Sequence, residues 1–317
     1  MAGAKLSTTM PAGRARFGAA VASAPPQLYF VVSAVFHYLG PAFAVLLFAR
    51  VDVLGVAWLR IASAAVVLSL WRRPWRRLAR LGRDARRTLL AFGTVLAVMN
   101  CCFYLAIARL PLGTVAAIEF LPVVVLAALG ARTPRNLLAL AAVVPGVYLL
   151  TDVRLAGEPL GVAFAFANAV LFALYIVLGH RVARGGQASG IDGLAGAMLV
   201  AVVVVTPISG WAAVPALLDP VAVAAGVGVG IASSVIPYVT DQLALARLPR
   251  ATYALLVSLL PATATVIGVV VLAQVPTLVE TAGVALVVTG VALHREPPPA
   301  LTGSSGTPPD DLSPRTG

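Results

Sequence analysis

The chain has 317 residues, of which 60% are hydrophobic and 11% charged. A soluble domain carries roughly 25% charged residues, so an ordinary soluble protein is excluded and an integral membrane protein is indicated. The net charge of +11 would suggest nucleic acid in a soluble chain. Here eight arginines crowd into one loop between apolar segments, which makes them a topology signal instead, and no nucleic-acid partner is expected.

Residues 1–26 are small, polar and basic (Lys5, Arg14, Arg16) and end in Pro25-Pro26. They are expected to form a disordered cytoplasmic tail, since the run Phe17–Ala24 is a poor match to a cleaved signal peptide. Apolar segments follow at about 27–48, 53–71, 88–108, 112–131, 136–151, 159–179, 193–211, 221–245, 251–273 and 277–293. Most approach the ~20 residues that cross a bilayer. The weakest is 136–151, where Pro145-Gly146 suggests a broken helix or misplaced bounds. From residue 295 onward a proline- and serine-rich stretch reads as a second disordered cytoplasmic tail.

One pattern occurs twice. Asn100–Pro122 reads as an apolar helix end, an Arg109-Leu110-Pro111 turn and a second apolar helix. Tyr238–Pro261 repeats it, with Arg247 and Pro249 at an offset of 138 and Pro261 at 139 from Pro122. Ten segments then divide into two repeats of five, 27–151 and 152–294. An odd number of spans inverts the second repeat relative to the first. Loop charges agree. With the loop holding Arg72, Arg73, Arg76, Arg77, Arg80, Arg83, Arg86 and Arg87 placed inside, alternate loops add Arg132, Arg135, Arg181, Arg184, Arg247 and Arg250. Only Arg50, Arg109 and Arg154 fall outside. Both termini are therefore expected in the cytoplasm. The expected fold is an all-α polytopic membrane protein of ten transmembrane helices.

Ionisable groups within the apolar segments are few: His37, Arg60, Glu119 and Asp241. A charge at mid-bilayer costs roughly 2.5–3.5 kcal/mol on insertion scales, so each needs a partner or a wet cavity. Arg60 and Glu119 each lie seven residues into segments that enter from outside, about 10 Å deep at 1.5 Å per residue. Their matched depth predicts an Arg60–Glu119 ion pair, which His37 could join. Glu119 reads either as a binder of a substrate amino group or proton, or as half of a permanent structural pair. His37 reads as a hydrogen-bonded core histidine or a proton handler. Asp241, near Tyr238 and Gln242, reads as an inner-half proton or cation site, or as a carboxylate reaching water at a helix end. Asn100 and Tyr104 share a helix face at spacing i, i+4. Asn168 and Tyr175 share another. All four suit either a polar substrate or interhelical hydrogen bonding. Pro122 and Pro261, at equivalent places in the two repeats, are expected to kink their helices and free carbonyls into a cavity.

Other features read as architecture. Thr277-Leu278-Val279-Glu280 is a capping box, and Asp192 and Asp219 precede helices as caps. Gly226 and Gly230 form a GxxxG face for close helix contact. Cys101 and Cys102 have neither metal-ligand nor disulfide-framework spacing. No HExxH, Walker loop or GxSxG elbow occurs, so neither an enzyme, a metal nor a cofactor is expected.

These features resemble the drug/metabolite transporter superfamily, EamA type. Met99-Asn100, Phe103-Tyr104-Leu105, Leu110-Pro111-Leu112-Gly113 and Glu119-Phe120 are similar to its bacterial threonine/homoserine exporter branch. Ile236-Pro237-Tyr238, Asp241 and Ala246-Arg247-Leu248-Pro249 continue the match, over roughly residues 28–292. The resemblance implies a proton-driven exporter of small amino acids in a bacterial plasma membrane. It implies alternating access, with the fifth and tenth helices peripheral. Two positions depart from the family pattern. Leu260-Pro261 stands where members often have Glu-Pro, and Ala273-Gln274 where they often have Gly-Glu. The expected partners are the bilayer, a small polar metabolite and protons; a homodimer is compatible. An exporter of drugs or nucleosides, a membrane enzyme acting on a lipid head group and a non-catalytic membrane subunit are the rival readings.

Overall fold

The computed structural model describes residues 25–78, 80–130, 133–155, 157–184, 190–245, 247, 256 and 259–293. Both predicted tails fall almost wholly outside them, as does most of the predicted turn after Arg247. Among the described residues the chain is helical without strands. The helices are α1 (Pro26–Leu47), α2 (Val53–Arg72), the short α3 (Trp75–Leu78), α4 (Arg83–Ile107), α5 (Leu112–Gly130) and α6 (Pro134–Leu155). They continue with α7 (Pro159–Arg184), α8 (Gly190–Leu217), α9 (Pro220–Gly230), α10 (Ile236–Leu245), α11 (Leu260–Leu272) and α12 (Leu278–Leu293). A π-helical segment, Ile231–Val235, joins α9 to α10. Among the described residues, six helical stretches are long and apolar enough to cross a membrane by themselves.

Three expectations change here. The weak fifth segment is one continuous helix of 22 residues, α6, that includes Pro145. It holds because its face is built of small groups that let another helix approach. A Cβ on Gly146 would lie 2.8 Å from the carbonyl oxygen of Gly283 on α12, so the two backbones are in contact. Second, the eighth segment is not uniform, because the π turn interrupts it. Third, Pro261 lies in the first turn of described helix α11, where a proline removes no needed donor; most of the residues just before it lie outside the described ones. Pro122 does sit inside α5, where its ring denies the Ile118 carbonyl an i→i−4 donor.

The most extensive helix contacts are α6 on α12, α2 on α8, α4 on α7 and on α8, and α1 on α10, with α5 lying against both α7 and α11. Lipid is as apolar as leucine, so such pairs rest on close packing and scattered polar links. Trp58 Nε1 donates to Thr206 Oγ1 at 3.0 Å between α2 and α8. Arg72 Nε donates to Asp192 Oδ1 at 2.6 Å at one end of the same pair. Asp192 thus lies inside the first turn of α8 as an ion-pair partner, not ahead of it as a cap. Asp219 does cap α9, accepting from the Val221 amide at 2.9 Å. Thr277 and Glu280 form the reciprocal capping box at the start of α12. Large apolar side chains such as Val66, Leu70, Val170, Val203 and Val270 point outward, as a bilayer-facing surface requires.

Buried side chains form two large apolar clusters. One gathers α1, α5, α6, α9, α11 and α12 with the neighbouring ends of α2, α4, α7 and α8. The other gathers the remaining parts of α2, α4 and α8 with the far end of α7. The seam between them is polar. On α2, Leu59 belongs to the first cluster and Ile61 to the second, with Arg60 between. On α4, Cys101 belongs to the second and Phe103 to the first, with Asn100 one position away from Cys101.

Candidate functional site

The seam is where the sequence places its charges. Arg60 and Glu119 are both buried, each 7% exposed, and each lies seven residues along its helix from Val53 and Leu112. The expected ion pair between them does not form. Arg60 Nε donates to Ser234 Oγ at 3.2 Å, and its Nη2 donates to the Ser233 carbonyl at 3.3 Å. Its guanidinium carbon stands 5.4 Å from the centre of the Tyr104 ring, within cation–π range. Glu119 Oε1 accepts instead from Asn168 Nδ2 at 3.2 Å. The two charges still act on one another across the gap.

The π segment explains the change. Widening one helical turn shifts carbonyls off the i→i−4 ladder, which is why such turns gather at functional sites. Here it delivers the Ser233 carbonyl and the Ser234 hydroxyl to Arg60. The surroundings hold that turn tightly. A Cβ on Gly230 would lie 2.8 Å from the Arg60 carbonyl oxygen, and one on Gly40 would meet the Ser233 backbone at 2.7 Å. The GxxxG face is therefore the contact between α9 and α2, with Gly226 against Leu59 and Gly230 against Ser63.

Most buried polar atoms find partners, so those that do not stand out. Among the described residues, Tyr38 Oη, Ser69 Oγ, Tyr104 Oη, Asn168 Oδ1 and Ser233 Oγ are buried without a hydrogen-bond partner. Tyr104 Oη lies beside both Arg60 and Ser233, but neither approach has hydrogen-bond geometry. The charge of Glu119 acts on Tyr38. All of these but Ser69 Oγ, which lies nine residues beyond Arg60 on α2, belong to residues of one layer around Arg60 and Glu119. Such a layer can hydrogen-bond a small polar molecule carrying both charges: cationic donors at Arg60, a carboxylate at Glu119, and hydroxyl and amide groups between.

The other predicted residues divide. Asn100 is buried, but its Nδ2 donates to the Leu96 carbonyl of its own helix at 2.7 Å. His37 is half-buried with its ring edge-on to Tyr38 at 5.1 Å. It makes no side-chain hydrogen bond to a described residue, and the Arg60 charge acts on it. Tyr175 belongs to an aromatic run instead. It stacks on Phe92 at 5.0 Å and on Phe172 at 6.1 Å, and Phe172 meets Phe120 at 6.3 Å. Tyr238 packs at the edge of the second apolar cluster. The side chains of Asp241 and Gln242 lie outside the described residues. Sequence reading missed Tyr38, Ser233 and Ser234. The adjacent serines within an apolar helix were the available signal, whereas a π turn leaves none.

A model of the EamA-like transporter family matches residues 159–295. The threonine/homoserine exporter RhtA of Escherichia coli (strain K12) is 32% identical over 247 residues, 76% of this chain and 81% of that protein. RhtA of Salmonella typhimurium (strain SL1344) is 30% identical over 269 residues, 81% of this chain and 88% of that protein. The chain belongs to the EamA-like transporter family. A solved structure described only as "Crystal structure of protein" has a TM-score of 0.53 and 20% identity. It spans 84% of this chain and 95% of that one, a likeness of fold alone. As an EamA-like transporter the protein is a multi-pass membrane protein whose relatives are exporters and not enzymes. That removes the membrane-enzyme reading.

Proposed function

We propose that this EamA-like transporter exports small polar amino acids of the threonine/homoserine kind in exchange for protons, from a bacterial plasma membrane. The observation that carries the reading is the unpaired juxtaposition of Arg60 and Glu119 in one buried polar layer. A zwitterion satisfies both at once, its carboxylate at Arg60 and its ammonium at Glu119. Two buried charges that do not pair with each other are costly, and a ligand that bridges them recovers part of that cost. The names of the RhtA relatives supply the substrate class; the layer supplies groups that suit it.

Alternating access follows from two inverted repeats. The helix pairs support that reading. An exchange of repeats maps α2·α8, α5·α11 and α6·α12 onto themselves, and maps α1·α10 onto α7·α4. The two Arg-Leu-Pro arginines also behave alike. Arg109 stands over Phe164 near the start of α7 at 5.7 Å, and Arg247 over Tyr29 near the start of α1 at 4.9 Å. In this account each clasp steadies one end of the molecule, and rocking of one repeat on the other opens the ends alternately around the polar layer. Protonation of Glu119, or of Asp241 nearer the cytoplasm, shifts the balance between inward-open and outward-open states.

The test is substrate-dependent proton movement in proteoliposomes, screening threonine, homoserine and other small neutral amino acids. Wild type moves protons with one of them and Glu119→Gln does not. Silence with every amino acid in sealed vesicles of folded protein refutes the substrate class. It would favour export of drugs or nucleosides, for which the Phe120–Phe172–Tyr175–Phe92 aromatic run is the supporting feature.

A further inference from the structure

The loop between α2 and α4 holds more positive charge than orientation needs. Eight arginines lie within residues 72–87, whereas each of the other three arginine-bearing loops on its side carries two. The structure shows how they are used. Arg72 is committed to Asp192. Arg73, Arg76, Arg80, Arg83, Arg86 and Arg87 are exposed, and among the described residues only Arg87 of these six has an acidic neighbour, Asp84 at 3.9 Å. The apolar side chains beside them are exposed too: Leu70 at 69%, Trp71 at 54% and Trp75 at 47%. Arg73 takes a left-handed conformation, φ 50°, which ends α2 and turns the chain into α3.

An apolar helix that ends beside the exposed Trp71, followed by the exposed Trp75 with exposed arginines on either side of it, matches the layering of a membrane surface. Tryptophan rings favour the head-group level, and arginine forks bind phosphate in two-pronged fashion. We propose that residues 70–87 form a binding surface for anionic phospholipid head groups, seated by Trp71 and Trp75 and held by Arg73, Arg76 and Arg80. The surface is anchored to the transport machinery. Arg72 fixes its start to α8, and Arg60 lies on the same helix twelve residues away, about 18 Å at 1.5 Å per residue. Lipid bound there steadies the α2–α8 pair that carries Arg60.

The test uses full-length protein in neutral detergent, titrated with phosphatidylglycerol or phosphatidylcholine, with thermal stability as the readout. A cationic side chain near an anionic surface contributes about fivefold in affinity. Phosphatidylglycerol is expected to stabilise at a concentration at least tenfold below phosphatidylcholine. The triple variant R73Q/R76Q/R80Q should lose on the order of a hundredfold, while R73K/R76K/R80K, which keeps the charge but not the fork, should fall between it and wild type. Equal melting temperatures of wild type and triple variant without added lipid establish that the variant is folded. If it is not, the lysine variant and W71A/W75A carry the comparison, W71A/W75A being expected to weaken both lipids. Equal response to the two lipids overturns the proposal. So does displacement of phosphatidylglycerol by millimolar inorganic phosphate, which would assign the arginines to a soluble anion.

Discussion

The close seating of α9 on α2 makes Gly230 the most informative single position. Replacing it with alanine adds one methyl group where there is no room. The new Cβ would stand 2.8 Å from the Arg60 carbonyl oxygen and in collision with Ser63 Oγ. The hydroxyl can rotate, but Ser63 is already bonded to the Leu59 and Arg60 carbonyls at 2.7 and 3.1 Å. The backbone carbonyl cannot move without shifting α2. Overpacking of this kind costs typically 1–3 kcal/mol. It also pushes the π turn away from Arg60, lengthening hydrogen bonds already at 3.2 and 3.3 Å. Gly228 is the internal control. It lies on the same helix, but a Cβ there meets nothing within 4 Å. Gly228→Ala should therefore be neutral, or stabilising by up to ~1 kcal/mol from helix propensity. Thermal or denaturant unfolding of the purified variants, followed by helix signal, gives the comparison. Equal effects of the two substitutions would refute both the close packing and the argument that the π turn is positioned by it.

Three further outcomes follow from local geometry. Ala273 caps α11 in a left-handed conformation at φ 54°, so Ala273→Gly should stabilise by ~0.5–1 kcal/mol in the same unfolding assay. Gln274 Oε1 accepts from the Leu112 amide at the start of α5 at 3.0 Å, and Gln274→Ala should cost ~0.5–2 kcal/mol as a lost cap. Gln274→Glu places a negative charge at that positive helix end. It should stabilise by ~0.3–1 kcal/mol at neutral pH, and the gain should vanish as acidification protonates the carboxyl.

Much of the helical plan is legible in the sequence because long apolar runs are a strong signal and arginine-rich loops mark their ends. The polar layer is legible in part. Arg60, Tyr104, Glu119 and Asn168 stand out because polar groups are rare in such segments. Depth along a helix predicted that Arg60 and Glu119 share a level, and the structure buries both at the seam between the apolar clusters. Depth carries no rotational information, however, and could not reveal that a third helix would supply Arg60 with its acceptors. That depends on a π turn, a local change of hydrogen-bond register stabilised by contacts with Gly40 and by Arg60 itself. Tertiary contacts likewise decide Asp192, whose sequence position suits a cap but whose carboxylate reaches Arg72 on another helix. Tyr175 shows the same limit, since the sequence offered it for hydrogen bonding and its ring stacks on Phe92 and Phe172.

The central claim is that substrate occupies the layer between Arg60 and Glu119. The most direct measurement is counterflow of radiolabelled threonine or homoserine in proteoliposomes without a proton gradient, which separates binding and exchange from coupling. Wild type, Arg60→Gln, Glu119→Gln and Glu280→Gln are compared at equal amounts of folded protein. Glu280 is also a buried carboxylate, 2% exposed, but it caps α12 outside the layer. The account predicts at least a tenfold loss of exchange for Arg60→Gln and Glu119→Gln, each removing a charged hydrogen bond worth about 1.5–3 kcal/mol, with exchange retained in Glu280→Gln. Wild-type exchange in both Arg60→Gln and Glu119→Gln would contradict it.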